Sequence, residues 1–195
     1  MQSKVIGVTG HTGSGTSQVS NILASYGCQV LSADKIVHEI LLTDKKVIEK
    51  ISNLFSGVLN EDGSINRKVL GQKVFGAENK ENLKMLENII HPAVGEKIKN
   101  FIAKNNSQTV ILDVPLLFES GLNSVCNHTI FVNAEYEIRL RRIIKRDDLT
   151  HDQAEKRINS REAADLNQVD FVIDNNGNLD DLAKNVANVY NKIFY

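Results

Sequence analysis

Val5-Ile6-Gly7-Val8-Thr9-Gly10-His11-Thr12-Gly13-Ser14-Gly15-Thr16-Ser17 is an apolar, β-prone run that breaks into glycine, and Val19, Ile22, Leu23 and Tyr26 then fall at helical spacing. Strand, glycine-rich turn and helix in that order are the setting of a phosphate-binding loop, whose frame is G-x-x-x-x-G-K-[ST]. Gly10 and Gly15 take the two glycines of the frame and Ser17 its final hydroxyl. In such a turn the backbone N–H groups converge, and the start of the next helix adds roughly half a positive charge, so a polyphosphate is held without a side-chain cation. Gly10, Gly13 and Gly15 allow close approach of the backbone, and the Ser17 hydroxyl is placed to ligate a magnesium ion shared with a nucleotide. The order G-x-x-G-x-G is not the dinucleotide fingerprint. The competing reading is a plain strand-to-helix turn.

Thr16 stands where the frame has lysine. That lysine reaches the terminal phosphates and neutralises charge as a phosphoryl group moves, and losing one preorganised donor costs about 3 kcal/mol of transition-state stabilisation. Threonine donates a hydrogen bond but carries no charge. Binding is therefore expected to survive better than catalysis.

Beyond the loop the pattern alternates strand and helix, with further strands predicted at residues 29–32, 109–114, 128–132 and 170–173. Helical stretches separate them, which predicts an α/β fold: a parallel sheet covered by helices on both faces, with ligands at the carboxyl ends of the strands. Residues 36–105 break the rhythm and read as several helices with a tight turn at Asp62-Gly63, enough for a subdomain. A chain of 195 residues, 42% hydrophobic, buries one substantial core. Its net charge of -1 gives no pull toward nucleic acid or anionic membrane, so the expected partner is a small molecule. Cys28 and Cys126 lie far apart without metal or redox spacing, the first apolar segment is too short for a signal peptide, and no stretch approaches the ~20 apolar residues of a membrane span. A reduced cytoplasmic protein, monomeric or weakly self-associating, is expected.

Several residues carry candidate chemistry. Asp34 follows the second strand and so falls on the sheet edge of the loop, where a carboxylate could take a proton from a substrate hydroxyl and touch the magnesium shell; the alternative is an N-cap for a helix beginning at Lys35. Asp113 ends the run Val110-Ile111-Leu112, as a magnesium-linked acid or as a hydrogen-bonded strand end. Pro115-Leu116-Leu117-Phe118-Glu119 then crosses the top of the sheet, where Glu119 could face a ligand. Arg139, Arg142 and Arg146 project within about 60° of one another on a helix starting near Glu135, a face suited to gripping phosphates or simply a solvated one. Thr150 and Gln153 form a capping box for the next helix, with Leu149 and Ala154 as its staple, and the two helices read as a mobile lid. His91-Pro92 is expected to end or kink the helix around it.

Together these features resemble the dephospho-coenzyme A kinase (dephospho-CoA kinase) family over essentially the whole chain. The likeness rests on Gly7-Val8-Thr9-Gly10 with the loop, Ala33-Asp34, the Asp62-Gly63 and Arg67 region, Leu86-Glu87 with His91-Pro92, residues 115–119, Arg142, Arg146-Asp147, and residues 170–177. It implies a P-loop NTPase-type, nucleoside-monophosphate-kinase-like fold with a core (1–35, 106–134, 170–195), a helical coenzyme-binding subdomain (about 36–105) and a lid (about 135–169). It also implies transfer of phosphate from ATP, with magnesium, to the ribose 3′-hydroxyl of dephospho-CoA. Gly13, Ser14, Gly15, Thr16, Ser17 and Gln18 would take the ATP phosphates, with Ser17, Asp34 and Asp113 at the metal. Asp34 would serve the acceptor hydroxyl, Arg142 and Arg146 would close over the transferring group, Asn175 and Gly177 would lie near the adenine, and His91, Leu117 and Glu119 would line the acceptor side.

The chain departs from the family pattern at Thr16, where the family has lysine, and at Arg161, where it usually has glutamine; Arg161 is a candidate to replace part of the missing charge. A catalytically silent sensor of ATP or coenzyme A precursors, and a kinase for another nucleotide-like acceptor, are the competing functions. Asp34, Ser17 and the lid arginines argue against the first, the helical subdomain and residues 115–119 against the second.

Overall fold

Short β-branched runs make the sheet and amphipathic segments cover it. A computed structural model describes residues 4–159 and 168–195. In chain order the elements are β1 (Val5–Gly10), α1 (Thr16–Ser25), β2 (Gln29–Ser32), α2 (Ala33–Thr43), α3 (Lys45–Leu54), α4 (Arg67–Val74), α5 (Lys80–Lys104), β3 (Val110–Asp113), β4 (His128–Asn133), α6 (Tyr136–Asp147), α7 (His151–Asn159), β5 (Phe171–Asp174) and α8 (Leu179–Phe194). They fall into two units, residues 1–31 with 105–195, and residues 32–104.

The first unit carries the sheet, in the order β2-β3-β1-β4-β5. β1 runs parallel to β3, with Val8 opposite Asp113, and parallel to β4, with Gly10 opposite Val132; β4 runs parallel to β5. The predicted strands are therefore present, in one parallel sheet. Ile6, Val8, Ile130 and Val132 alternate onto one pleat face, where Val19 and Leu23 of α1 and Leu182, Val186 and Ile193 of α8 complete a core cluster. β1 is central because its apolar residues are buried on both faces, which suits a strand flanked by parallel neighbours. The chain leaves β1 to reach β2 across β3, then returns past β1 to β4. The loop after β1 thus sits where connections diverge to opposite sides, the crevice that α/β sheets use for ligands.

α6 and α7 pack through Leu140, Ile143, Ala154 and Ile158, with Leu149 against them. The capping box forms as expected: Thr150 N donates to Gln153 Oε1 at 3.0 Å and Gln153 N donates to Thr150 Oγ1 at 3.4 Å. Asp148, at φ 51°, ends α6 in the left-handed region.

The second unit is helical. Asp44 caps α3 and Asn66 caps α4 by accepting backbone N–H groups, and Ile40, Ile51, Ile65, Leu70 and Ile98 are buried within it. Two expectations are corrected here. Asp34 does not cap a helix at Lys35: α2 begins one residue before Asp34, and the cap position is Ser32. Nor does Pro92 end its helix, for α5 runs through it from Lys80 to Lys104. Pro92 and Asn88 are both exposed, so water can take the carbonyl that the missing N–H leaves without its helical donor.

Candidate active site

The loop geometry follows from its glycines. Gly13 and Gly15 sit at φ 84° and 98°, the left-handed region, and a Cβ at Gly15 would overlap the Asn175 amide. Gly15 occupies the N-cap position of α1 without a side-chain cap, and the first turn of α1 holds no acidic residue. The positive end of the helix is therefore neither capped by a side chain nor neutralised, as an anion site requires.

The turn is held from behind. Ser14 N donates to His11 O at 3.0 Å, and Ser14 is fully buried. Its carbonyl accepts from Asn175 Nδ2 at 2.7 Å and from Arg142 Nη1 at 3.3 Å, while Arg142 Nη2 donates to Asn175 Oδ1 at 3.3 Å. Asn175 Nδ2 also lies 3.5 Å from Gln18 Oε1. Arg142 thus brings a guanidinium to the loop backbone, and burial pulls its pKa below the ordinary value, as for a cation drawn partly out of water.

Ser17 Oγ donates to Asp113 Oδ2 at 3.3 Å, which joins the loop hydroxyl to the acid at the end of β3. A hydroxyl and a carboxylate, both hard oxygen donors, suit a magnesium ion. Among the described residues no cluster of three or more His, Cys, Asp or Glu could hold a metal by itself. A site built on Ser17 and Asp113 would therefore draw its other ligands from phosphate and water. Thr16 opens α1 in the lysine position.

The arginines of α6 do not act as one grip. Arg139 donates from Nε to Ala134 O at 3.0 Å and its guanidinium lies 5.6 Å from the Tyr136 ring centroid, so it braces the start of its own helix. Arg146 donates from Nε and Nη2 to the two oxygens of Asp147, both at 2.8 Å, and Arg157 Nη1 reaches the same carboxylate at 2.8 Å. The Arg146 hydrogen bonds, then the Arg157 charge, hold the Asp147 carboxyl below the usual carboxylate range. Of the three, Arg142 alone reaches the loop by a described hydrogen bond.

The remaining expected residues divide between core and surface. Asn175, expected beside the adenine, is 2% exposed and its amide braces the phosphate loop. Gly177 is exposed in the turn before Asn178, which caps α8. Leu117, expected on the acceptor side, is fully buried with its methyl groups against Gly7, so its side chain serves the core, whereas Glu119 is exposed. Asp34 and His91 are exposed on the helical unit, and Arg161 lies outside the described residues. Sequence reading missed His11, whose ring meets Phe131 edge-on at 4.9 Å. Burial first, then the Arg139 charge, lowers its pKa and favours the neutral ring. Its place inside the loop frame was the available signal.

Comparison with known proteins gives a consistent result. A family model described as dephospho-CoA kinase matches residues 4–181. A dephospho-CoA kinase of Fusobacterium nucleatum is 42% identical over 190 residues, 95% of this chain and 96% of that protein. A crystal structure from Thermus thermophilus superposes at TM-score 0.84 with 29% identity and full coverage of both chains. The dephospho-CoA kinase structure from Campylobacter jejuni superposes at TM-score 0.71 with 33% identity, covering 97% of this chain and 96% of that one.

Proposed function

This chain belongs to the dephospho-CoA kinase family, and from that premise we propose how its own residues divide the work of that reaction. The protein is a P-loop kinase that phosphorylates dephospho-CoA with ATP in coenzyme A biosynthesis. The observation that carries the site assignment is the N-terminus of α1, opened by Gly15 in the left-handed region and left without side-chain cap or acid.

The backbone of Gly13, Ser14, Gly15, Thr16, Ser17 and Gln18 receives the ATP phosphates, with Gly10 allowing the chain to turn close to them. Asn175 and Arg142 fix the loop through the Ser14 carbonyl. Ser17 and Asp113, with Asp34, would hold a magnesium ion, which would supply positive charge to offset that of the ATP phosphates. Asp34 accepts the proton of the ribose 3′-hydroxyl. The ribose oxygen then bonds to the γ-phosphorus, the bond from that phosphorus to the β,γ-bridging oxygen breaks, and ADP leaves. Arg142 is the cation next to the loop that offsets charge on the transferring group, and Arg146 joins it on leaving its pairing with Asp147. His91 and Glu119 are assigned to the acceptor, and Gly177 to the turn beside the adenine.

Thr16 lowers turnover more than binding, because a helix N-terminus and backbone amides still hold the phosphates while the mobile charge of lysine is missing. The test is a coupled ADP assay with Mg-ATP and dephospho-CoA, adenosine or a nucleoside monophosphate, run on the parent and on Thr16→Lys. ADP formation should depend on dephospho-CoA alone, and Thr16→Lys should be about a hundredfold faster, the equivalent of ~3 kcal/mol. Phosphorylation of a nucleoside monophosphate instead would overturn the acceptor. Two silent proteins that still bind ATP would favour the sensor reading, to which Thr16 lends its weight.

A further inference from the structure

Asp147 is an acid at the end of a helix that favours cations. It is the last residue of α6, after Lys145 and Arg146, where the partial negative charge of the helix C-terminus disfavours a carboxylate. The helix end is closed by other groups, since Asp148 N and Leu149 N both donate to Ile144 O. The Asp147 side chain is turned instead to two guanidinium groups. Arg146 lays its fork across both oxygens, Nε on Oδ1 and Nη2 on Oδ2 at 2.8 Å each, and Arg157 Nη1 comes to the same Oδ2 at 2.8 Å.

The two cations are held differently. Arg157 rises from α7 beside Ile158, which with Ala154 is buried against Leu140 and Ile143 of α6, so its stem is fixed relative to Asp147. Arg146 lies one turn beyond Arg142, the residue that hydrogen-bonds the phosphate loop, and its side chain is 58% exposed against 21% for Asp147. A carboxylate offers about four lone-pair sites, so Oδ2 accepts from both cations at once, and Oδ1 opens to the second arm of Arg157 when Arg146 leaves. Without Arg157, Arg146 could leave only by abandoning a partly buried carboxylate at the negative end of a helix. With Arg157 already on Oδ2, the carboxylate keeps a cation throughout, and Arg146 gives up a shared partner.

We propose that Arg157 is a positioning residue for phosphoryl transfer: it takes Asp147 over from Arg146 and so frees Arg146 to reach the γ-phosphate of ATP. The proposal rests on the reading that Arg146 engages the transferring group, and Arg146→Ala tests that reading separately. Equilibrium titrations with Mg-ATP and with Mg-ADP measure the preference for the γ-phosphate, and steady-state kinetics with dephospho-CoA measure kcat and KM. Both are run on the parent, Arg146→Ala, Arg157→Gln, Arg157→Lys, Asp147→Asn and the double variant Arg157→Gln with Asp147→Asn. Arg157→Gln should lower kcat and the preference for ATP over ADP about fivefold, the upper end for a half-exposed ion pair, and leave Kd for ADP within about twofold. Arg157→Lys, which keeps the charge without the fork, should recover part of the loss. In Asp147→Asn no carboxylate holds Arg146, so adding Arg157→Gln should cost less than about twofold, a rescue that lost packing between α6 and α7 would not show. No loss in Arg157→Gln, or a loss that persists in the Asp147→Asn background, overturns the hand-over while leaving Arg146 in its role. Full ATP preference and kcat in Arg146→Ala instead overturn the reading of Arg146, and the hand-over with it. If the parent turns over no dephospho-CoA, the titrations decide: rescue of the ATP preference in the double variant supports the hand-over and its absence refutes it.

Discussion

At the residue level, the phosphate loop depends on a side chain that the sequence places 160 positions away, from Gly15 to Asn175. An amide can satisfy the Ser14 carbonyl with its nitrogen and the Arg142 guanidinium with its oxygen at once; aspartate would offer acceptors only, and alanine neither group. Asn175→Ala should therefore cost about 1–3 kcal/mol of stability for a buried group left unpaired, and should raise KM for ATP roughly tenfold as the loop loses its brace. Thermal melts and ATP kinetics check the two effects together. A destabilised variant with an unchanged KM for ATP would show that Asn175 supports the fold without positioning the loop. Local sequence could mark Gly10, Gly15 and Ser17, because the frame is contiguous. It could not distinguish Asn175 as brace from Asn175 as adenine neighbour, because that choice depends on how β5 meets the loop across β4.

At the level of elements, what the sequence revealed follows the range of the interaction involved. The Thr150–Gln153 box and the Asp62-Gly63 turn are made by residues within a few positions of one another and were readable. The passage of α5 through Pro92 was not, because buried Leu86, Ile90, Val94 and Ile98 give the whole segment one apolar stripe on both sides of the proline. The three α6 arginines lie on one stripe by periodicity, but Ala134 O and Asp147 engage two of them. Between α6 and α7 the chain passes through Asp148 at φ 51°, with Leu149 N donating to Ile144 O at 3.3 Å, a helix ending that favours glycine. Asp148→Gly relieves the left-handed strain but gains unfolded-state entropy, so a net stabilisation of about 0.5 kcal/mol is expected. Denaturant melts measure it; a loss of stability would mean that the Asp148 side chain makes a contact worth more than the strain.

For the molecule as a whole, the order β2-β3-β1-β4-β5 places the loop after its central strand, so a nucleotide held there as proposed would be coupled to the most deeply buried part of the sheet. Strand positions were legible from five β-branched runs separated by helical spacing, whereas strand order is a matter of long-range pairing that no local pattern contains. Because α1 and α8 share one core with β1, a ligand on the N-terminus of α1 should stabilise that entire cluster rather than a loose loop. A ligand that binds only the folded chain adds RT ln(1 + [L]/Kd), about 2.7 kcal/mol at a hundred times Kd, and for a chain of this size each kcal/mol moves Tm by roughly 2–4 °C. Mg-ATP at that excess should therefore raise Tm by roughly 5–10 °C. If Ser17 and Asp113 hold magnesium as proposed, removing it with EDTA should shrink the shift, because the charge it would offset on the phosphates is then left uncompensated. Thr16→Lys should enlarge the shift only modestly, because backbone amides and the helix end carry most of the ground-state binding, while its effect on turnover is large. A parent that shows no shift with Mg-ATP would refute the loop as a nucleotide site. A shift untouched by EDTA would instead remove the metal from Ser17 and Asp113 and leave the phosphates to the backbone alone.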